Sequence, residues 1–129
     1  MATDPEVDLA EVIIKRFEDP DKVTEFEKGR HETVTLGGMT VGRATYQPSW
    51  RLSKDVGPGI GAEYCTLEHV RLVISGAATA AFSDGTVTEL KAGNRFYVPP
   101  QPHDSSVVGN EPYVSLHFLG ASTDARKEQ

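Results

Sequence analysis

Two stretches of the chain alternate strongly between apolar and polar positions. In "EHVRLVISG", His69, Arg71 and Val73 fall on one face of an extended strand and Val70, Leu72 and Ile74 on the other. In "YVSLHFLG", Tyr113, Ser115 and His117 oppose Val114, Leu116 and Phe118. "ETVTLGGMTVGRATY" reads as two β-rich runs joined at Gly37-Gly38, and "ATAAFSDGTVTEL" as two more joined at Asp84-Gly85. Both dipeptides suit the positive backbone angles of tight hairpins. "NRFYVPP" is a strand ended by two prolines, which cannot donate to a ladder. The count comes to roughly eight short strands with no central helix, which predicts a closed or two-sheet antiparallel barrel.

The flanks differ from this pattern. Residues 1–30 are predicted as an N-terminal arm or short helix, with "DLAEVIIKRFE" either amphipathic or paired with another subunit, and Pro20 stopping it. The barrel is placed at residues 31–120. The small, polar residues 121–129 are expected to form a flexible tail.

Composition narrows the function classes. A chain of 129 residues suits one domain, and 12 Gly with 8 Pro favour many turns. A net charge of −6 argues against nucleic acid or an anionic membrane surface as a partner. No apolar run approaches the roughly 20 residues of a membrane span. The acidic N-terminus does not read as a secretory signal. The single cysteine fits a reducing cytoplasm, the expected location. Phosphate-binding Gly-rich loops, paired-cysteine zinc motifs and a serine-nucleophile elbow are all absent from the sequence.

The order of features from Ile74 to Phe118 is strand, Gly, strand, Asp-Gly turn, strand, Ala-Gly, strand, Pro-Pro, His, strand. This order resembles the cupin family, over about residues 40 to 118. The family's first motif, G-x5-H-x-H-x3or4-E-x6-G, falls on Gly57, Glu63, Cys65, His69 and Gly76. Its second, G-x5-P-x-G-x2-H-x3-N, falls on Gly93, Pro99, Gln101, Asp104 and Val108, with His103 one residue before the motif's His. The resemblance implies an all-β, single-domain double-stranded β-helix, or jelly-roll, barrel. It also implies a homodimer and a small-molecule ligand. "YQPSWRLSKDVGP" resembles a subgroup of small cupins, some of which look like ligand-sensing modules.

The family's metal site uses three His and one Glu. The corresponding positions here hold Glu63, Cys65, His69 and either His103 or Asp104. Even spacing puts Glu63, Cys65 and His69 on one face of an unbroken strand, with Glu68 on the other. Parity lets only one of His103 and Asp104 face inward. His103 is preferred, because turns tolerate a one-residue shift and a buried Asp without a partner is costly. The predicted metal set is Glu63, Cys65, His69 and His103, and its mixed ligands suit one Zn or Fe(II) ion. A metal-free polar pocket is the second possibility. There His69 and Arg71 are the catalytic candidates, His69 as general acid or base and Arg71 as the holder of a carboxylate or enolate. Tyr97, Tyr113 and His117 are candidates to line the same cavity, and Trp50 to cover a barrel end or a subunit contact. The plain alternative makes Cys65 a core residue, His69 a hydrogen-bonded interior group and Glu63 a surface charge. The functional expectation is an enzyme acting on a small, polar, anionic organic molecule as a lyase, isomerase or oxygenase. A non-catalytic sensing module or a filled, structural barrel are the alternatives.

Overall fold

The computed structural model describes residues 11–56 and 68–119. Nine strands form in that part of the chain: β1 (Lys22–Phe26), β2 (Gly29–Leu36), β3 (Met39–Tyr46), β4 (His69–Ser75), β5 (Ala77–Phe82), β6 (Val87–Lys91), β7 (Arg95–Val98), β8 (His103–Val108) and β9 (Tyr113–Leu119). A five-residue π-helical turn, Leu52–Val56, follows β3. Among the described residues no helix is long and apolar enough to cross a membrane.

The strands make two antiparallel sheets. The larger has the order β1-β2-β3-β9-β4-β7 and the smaller β6-β5-β8. The expected barrel is therefore not closed. The reason lies at Gly76, whose φ of 75° turns the chain sharply between β4 and β5. Among the described residues β4 then pairs only with β7 and β9, and β5 only with β6 and β8. The sheets face each other across a shared core of Tyr46, Trp50, Leu52, Val73, Leu90 and Tyr113, with small alanines at Ala44, Ala78 and Ala80.

The β2–β3 hairpin forms where the sequence places it. Leu36 pairs with Met39 across Gly37 and Gly38, both at positive φ, as a two-residue primed turn requires. Trp50 does not cap an end of the fold but lies buried in the core. Its ring stacks on Tyr46 at 4.0 Å, and Tyr46 stacks in turn on Tyr113. The main chain beside it seals an edge of the smaller sheet: Val107 N–H donates to Trp50 C=O, and Arg51 bridges Ser106.

The strands begin at Lys22, inside the segment assigned to the arm, and the described residues before it form no helix. Residues 15–21 instead lie as a strap over the outer face of β2 and β3. Arg43 donates to Glu18 (2.8 Å) and, through Nε, to the buried Glu32 (2.9 Å), with the Phe17 ring 5.2 Å from its guanidinium. Asp21 accepts from Lys15 and from the Thr35 N–H, both at 2.8 Å. The Arg43 hydrogen bond holds the Glu18 carboxyl below its ordinary range, and the Lys15 bond does the same for Asp21. A depressed folded value makes the stabilisation complete above the ordinary carboxylate range and lets it fade as pH falls through the lowered values. Below about pH 4, where free carboxyls protonate, the Asp21 amide is therefore expected to lose protection before the strand amides do. Hydrogen exchange corrected for its intrinsic rate checks this.

Candidate functional site

Strand parity delivers the site. β4 turns His69, Arg71 and Val73 inward, and β9 turns in Tyr113, Ser115 and His117. β7 pairs its Val98 with His69, and β5 pairs its Phe82 with His103 on β8. These pairings bring His69 and His103 to the same end of the two facing sheets. Their rings stand perpendicular, with centroids 5.5 Å apart, and both are buried, at 2% and 5% exposure.

Between the sheets lies a cavity of about 20 Å³, roughly room for one water. Its polar wall is His69, Arg71, Thr79, His103, Ser105 and Tyr113, and Phe96 lies on its apolar side. At the same end an open hollow of about 370 Å³ is walled by Phe82, Pro99, Gln101 and Pro102. Phe82 lines the hollow, and its ring centroid lies 5.7 Å from that of His103, which lines the cavity.

Hydrogen bonds fix the chemistry of the two imidazoles. Arg71 Nη2 lies 3.0 Å from His69 Nδ1. A guanidinium only donates, so Nδ1 is the acceptor and the His69 proton sits on Nε2. His103 Nδ1 lies 3.0 Å from the Gln101 carbonyl oxygen. A carbonyl only accepts, so Nδ1 is the donor and neutral His103 carries its lone pair on Nε2. Burial pushes the Tyr113 phenol above its ordinary value, against the opposing pull of the Arg71 charge and of Ser115.

The predicted site residues divide as follows. His69, Arg71, His103 and Tyr113 line one cavity. Asp104 does not; it accepts from the N–H and hydroxyl of Ser53 at 3.0 and 2.8 Å. Tyr97 is a correction: it points outward, is 55% exposed and donates to Glu68, because Phe96 and Val98 take the inward positions of β7. His117 is fully buried but belongs to a second cluster. Its Nδ1 contacts His31 Nε2 at 3.1 Å, and its Nε2 contacts the Ser115 hydroxyl at 2.9 Å. Glu63 and Cys65 lie outside the described residues.

The expected metal would have to draw on this donor set. His69 offers neither ring nitrogen in this arrangement: Nδ1 accepts from Arg71, and Nε2 carries the proton. A cation placed there would also face the guanidinium. Among the described residues no three His, Cys, Asp or Glu side chains gather into a metal-holding group. The described part of the site does not fit a divalent ion.

Sequence reasoning missed His31 and Ser105. His31 meets His117 across an intervening strand, because the inward positions of β3 between them are Gly42 and Ala44. Small residues at alternate positions of "VGRAT" are the signal that could have shown the gap.

No protein-family model matches the chain, and no curated protein matches its sequence. Solved structures do match. The polyketide cyclase RemF from Streptomyces resistomycificus superposes with a TM-score of 0.60 at 13% identity, over 83% of this chain and 78% of that one. An oxalate decarboxylase variant from Bacillus subtilis gives 0.58 at 15% identity, over 89% of this chain and 33% of the other. A protein with a double-stranded β-helix domain from Klebsiella pneumoniae gives 0.55 at 23% identity, over 83% of this chain and 88% of that one. The fold is cupin-like. Cupin-like architecture explains why residues from β4, β8 and β9 converge between the sheets: two facing sheets turn alternate side chains of every strand into one interior. Identities this low speak for the fold and leave the chemistry to this chain's own residues.

Proposed function

We propose that this cupin-like protein binds a small anionic carbonyl compound at the His69–Arg71–His103–Tyr113 cavity and moves a proton beside the carbonyl, as a lyase or an isomerase. The observation that carries this reading is the convergence of two imidazoles, a guanidinium and a phenol on one cavity. A buried cluster of this kind is costly as mere filling and suited to charge that develops during a reaction. Neighbours named as a cyclase and a decarboxylase support a catalytic use of the fold.

The inner cavity takes only the reacting carbonyl group. The rest of the molecule lies in the outer hollow, and the Phe82 ring swings aside to admit it. Arg71 supplies a permanent positive charge beside the bound anion. Of the expected reaction types, lyase and isomerase chemistry require nothing beyond proton transfer and stabilisation of an enolate.

The test is carbon-bound hydrogen exchange in D2O, followed by proton NMR on pyruvate, 2-oxobutyrate and 2-oxoglutarate. Protein-dependent loss of the signal beside the carbonyl is the expected result. Binding is followed in parallel through Trp50, the single tryptophan, whose ring is coupled to the cavity through the Tyr46–Tyr113 stack. A fluorescence change without exchange would favour a sensing module instead. No response from either measurement with any keto acid would sink the proposal.

A further inference from the structure

We infer that His103 is the general base of this site and His69 its hydrogen-bond donor, which makes the substrate a carbonyl compound with an acidic C–H beside the carbonyl. This deepens the function proposed above and rests on it. The assignment follows from the two partners that cannot change role. The Arg71 guanidinium has no lone pair, so its 3.0 Å contact commits His69 to a proton on Nε2. The Gln101 carbonyl has no proton, so its 3.0 Å contact commits His103 to a proton on Nδ1. One cavity therefore holds one imidazole able to take a proton and one able only to offer a hydrogen bond.

The geometry suits a pair acting on one molecule. The rings meet edge to face, perpendicular at 5.5 Å between centroids, and both line the same cavity, so the two imidazoles reach a carbonyl group entering there from different walls. His103 Nε2 removes the proton from the carbon beside the carbonyl. The C–H electron pair becomes a C=C bond, and the carbonyl π pair moves onto oxygen. That oxygen accepts the His69 Nε2–H hydrogen bond, and His69 keeps its proton because Arg71 occupies Nδ1. The imidazolium of His103 then returns the proton to the same carbon, which gives exchange, or, where that carbon bears a hydroxyl whose own proton passes to the enolate oxygen, to the former carbonyl carbon, which gives isomerisation. A β-substituent leaving with its electron pair gives elimination. Nothing is oxidised or reduced in any of these steps.

The backing of each ring belongs to a different element. Arg71 is two residues from His69 on the same strand, so β4 parity alone pairs them. Gln101 sits in the turn before β8, two residues from His103, so the Pro-rich turn carries the second commitment. A general base held by a hydrogen bond to its far nitrogen, and a neutral imidazole used as a donor to a developing oxyanion, are both established uses of histidine.

Two measurements test this. Long-range proton–nitrogen correlation spectra of protein labelled with ¹⁵N-histidine report the tautomer of each ring, and the chain has only four histidines. His69 is expected with its proton on Nε2 and His103 with its proton on Nδ1, and the reverse at either ring overturns the assignment whether or not the protein is active. In the D2O exchange assay, His103→Gln is expected to lower the maximal rate at least about 100-fold with an unchanged KM. His69→Gln, whose amide still donates, is expected to fall about 10-fold, and His69→Leu about 100-fold. Retained exchange in His103→Gln overturns the base. Wild-type protein that shows the expected tautomers and exchanges none of the three keto acids overturns the proposed activity, and the substrate class with it.

Discussion

Gly76→Ala is expected to destabilise the protein by about 4 kcal/mol. Gly76 has a φ of 75°, and forcing a residue with a Cβ into that region costs about 2 kcal/mol. The added carbon would also sit 2.4 Å from the Pro112 carbonyl oxygen and 2.9 Å from the Tyr113 Cα. Both are backbone atoms, so no side chain can turn away. Relief requires β4 and β9 to separate, at a further cost of about 2 kcal/mol, comparable to overpacking a core. Against a total stability of about 5–15 kcal/mol this leaves a marginal fold. The melting temperature should fall by about 15 °C, at roughly 4 °C per kcal/mol. Gly38→Ala is the control. Gly38 also has positive φ, 83°, but a Cβ there meets nothing within 4 Å. Its cost should stay near the conformational penalty alone, about 2 kcal/mol. Denaturant titrations of both variants check the difference, and equal losses would show that the clash does not matter. The comparison reaches the site as well, because Gly76 sets the corner between the strand carrying His69 and the smaller sheet carrying His103.

What was legible in the sequence follows from the two-residue period of a strand. Alternation alone places His69 and Arg71 together on β4 and Tyr113 with Ser115 and His117 on β9, and the structure has both sets inward. The hairpin glycines are legible because only their backbone freedom fits a two-residue turn. The preference for His103 over Asp104 rests on the cost of burying a carboxylate, and Asp104 is indeed satisfied elsewhere, by Ser53. Two facing sheets are one of the two arrangements the strand pattern predicts; that they stay open was not legible, since it depends on which strands pair beyond Gly76, a matter of tertiary packing. The His31–His117 contact links residues 86 apart, and no local pattern reports it. Tyr97 is a candidate for the cavity by residue type alone; the alternation of "RFYV" gives the inward face to the apolar Phe96 and Val98. The predicted metal set counts His69 as a ligand, and two of its other members, Glu63 and Cys65, lie outside the described residues. An arginine two residues along the same face competes for the same ring nitrogen, a conflict visible only once side-chain geometry is known.

That competition makes Arg71→Met the most informative change for binding. Methionine keeps much of the arginine stem's length and packing and removes the charge and every donor. Two effects are expected together. The affinity for an anionic keto acid, followed by Trp50 fluorescence, should fall about 30-fold, equivalent to about 2 kcal/mol for a charge-assisted hydrogen bond in a partly buried site. His69 should also lose its fixed tautomer, because nothing then donates to Nδ1 from the Arg71 position, and its labelled nitrogens should report a mixture. The site's remaining donors, the Tyr113 hydroxyl and the His69 ring, stay in place. A loss of exchange rate beyond the loss of binding therefore measures how much the fixed tautomer contributes. Arg71→Lys should not restore the pattern, since a point-charge ammonium on a flexible stem does not reproduce the planar fork that reaches His69 from two residues away. If Arg71→Met binds pyruvate as tightly as the wild type while His69 keeps its proton on Nε2, then the guanidinium neither holds the anion nor sets the imidazole. The cavity would then owe its polarity to packing alone.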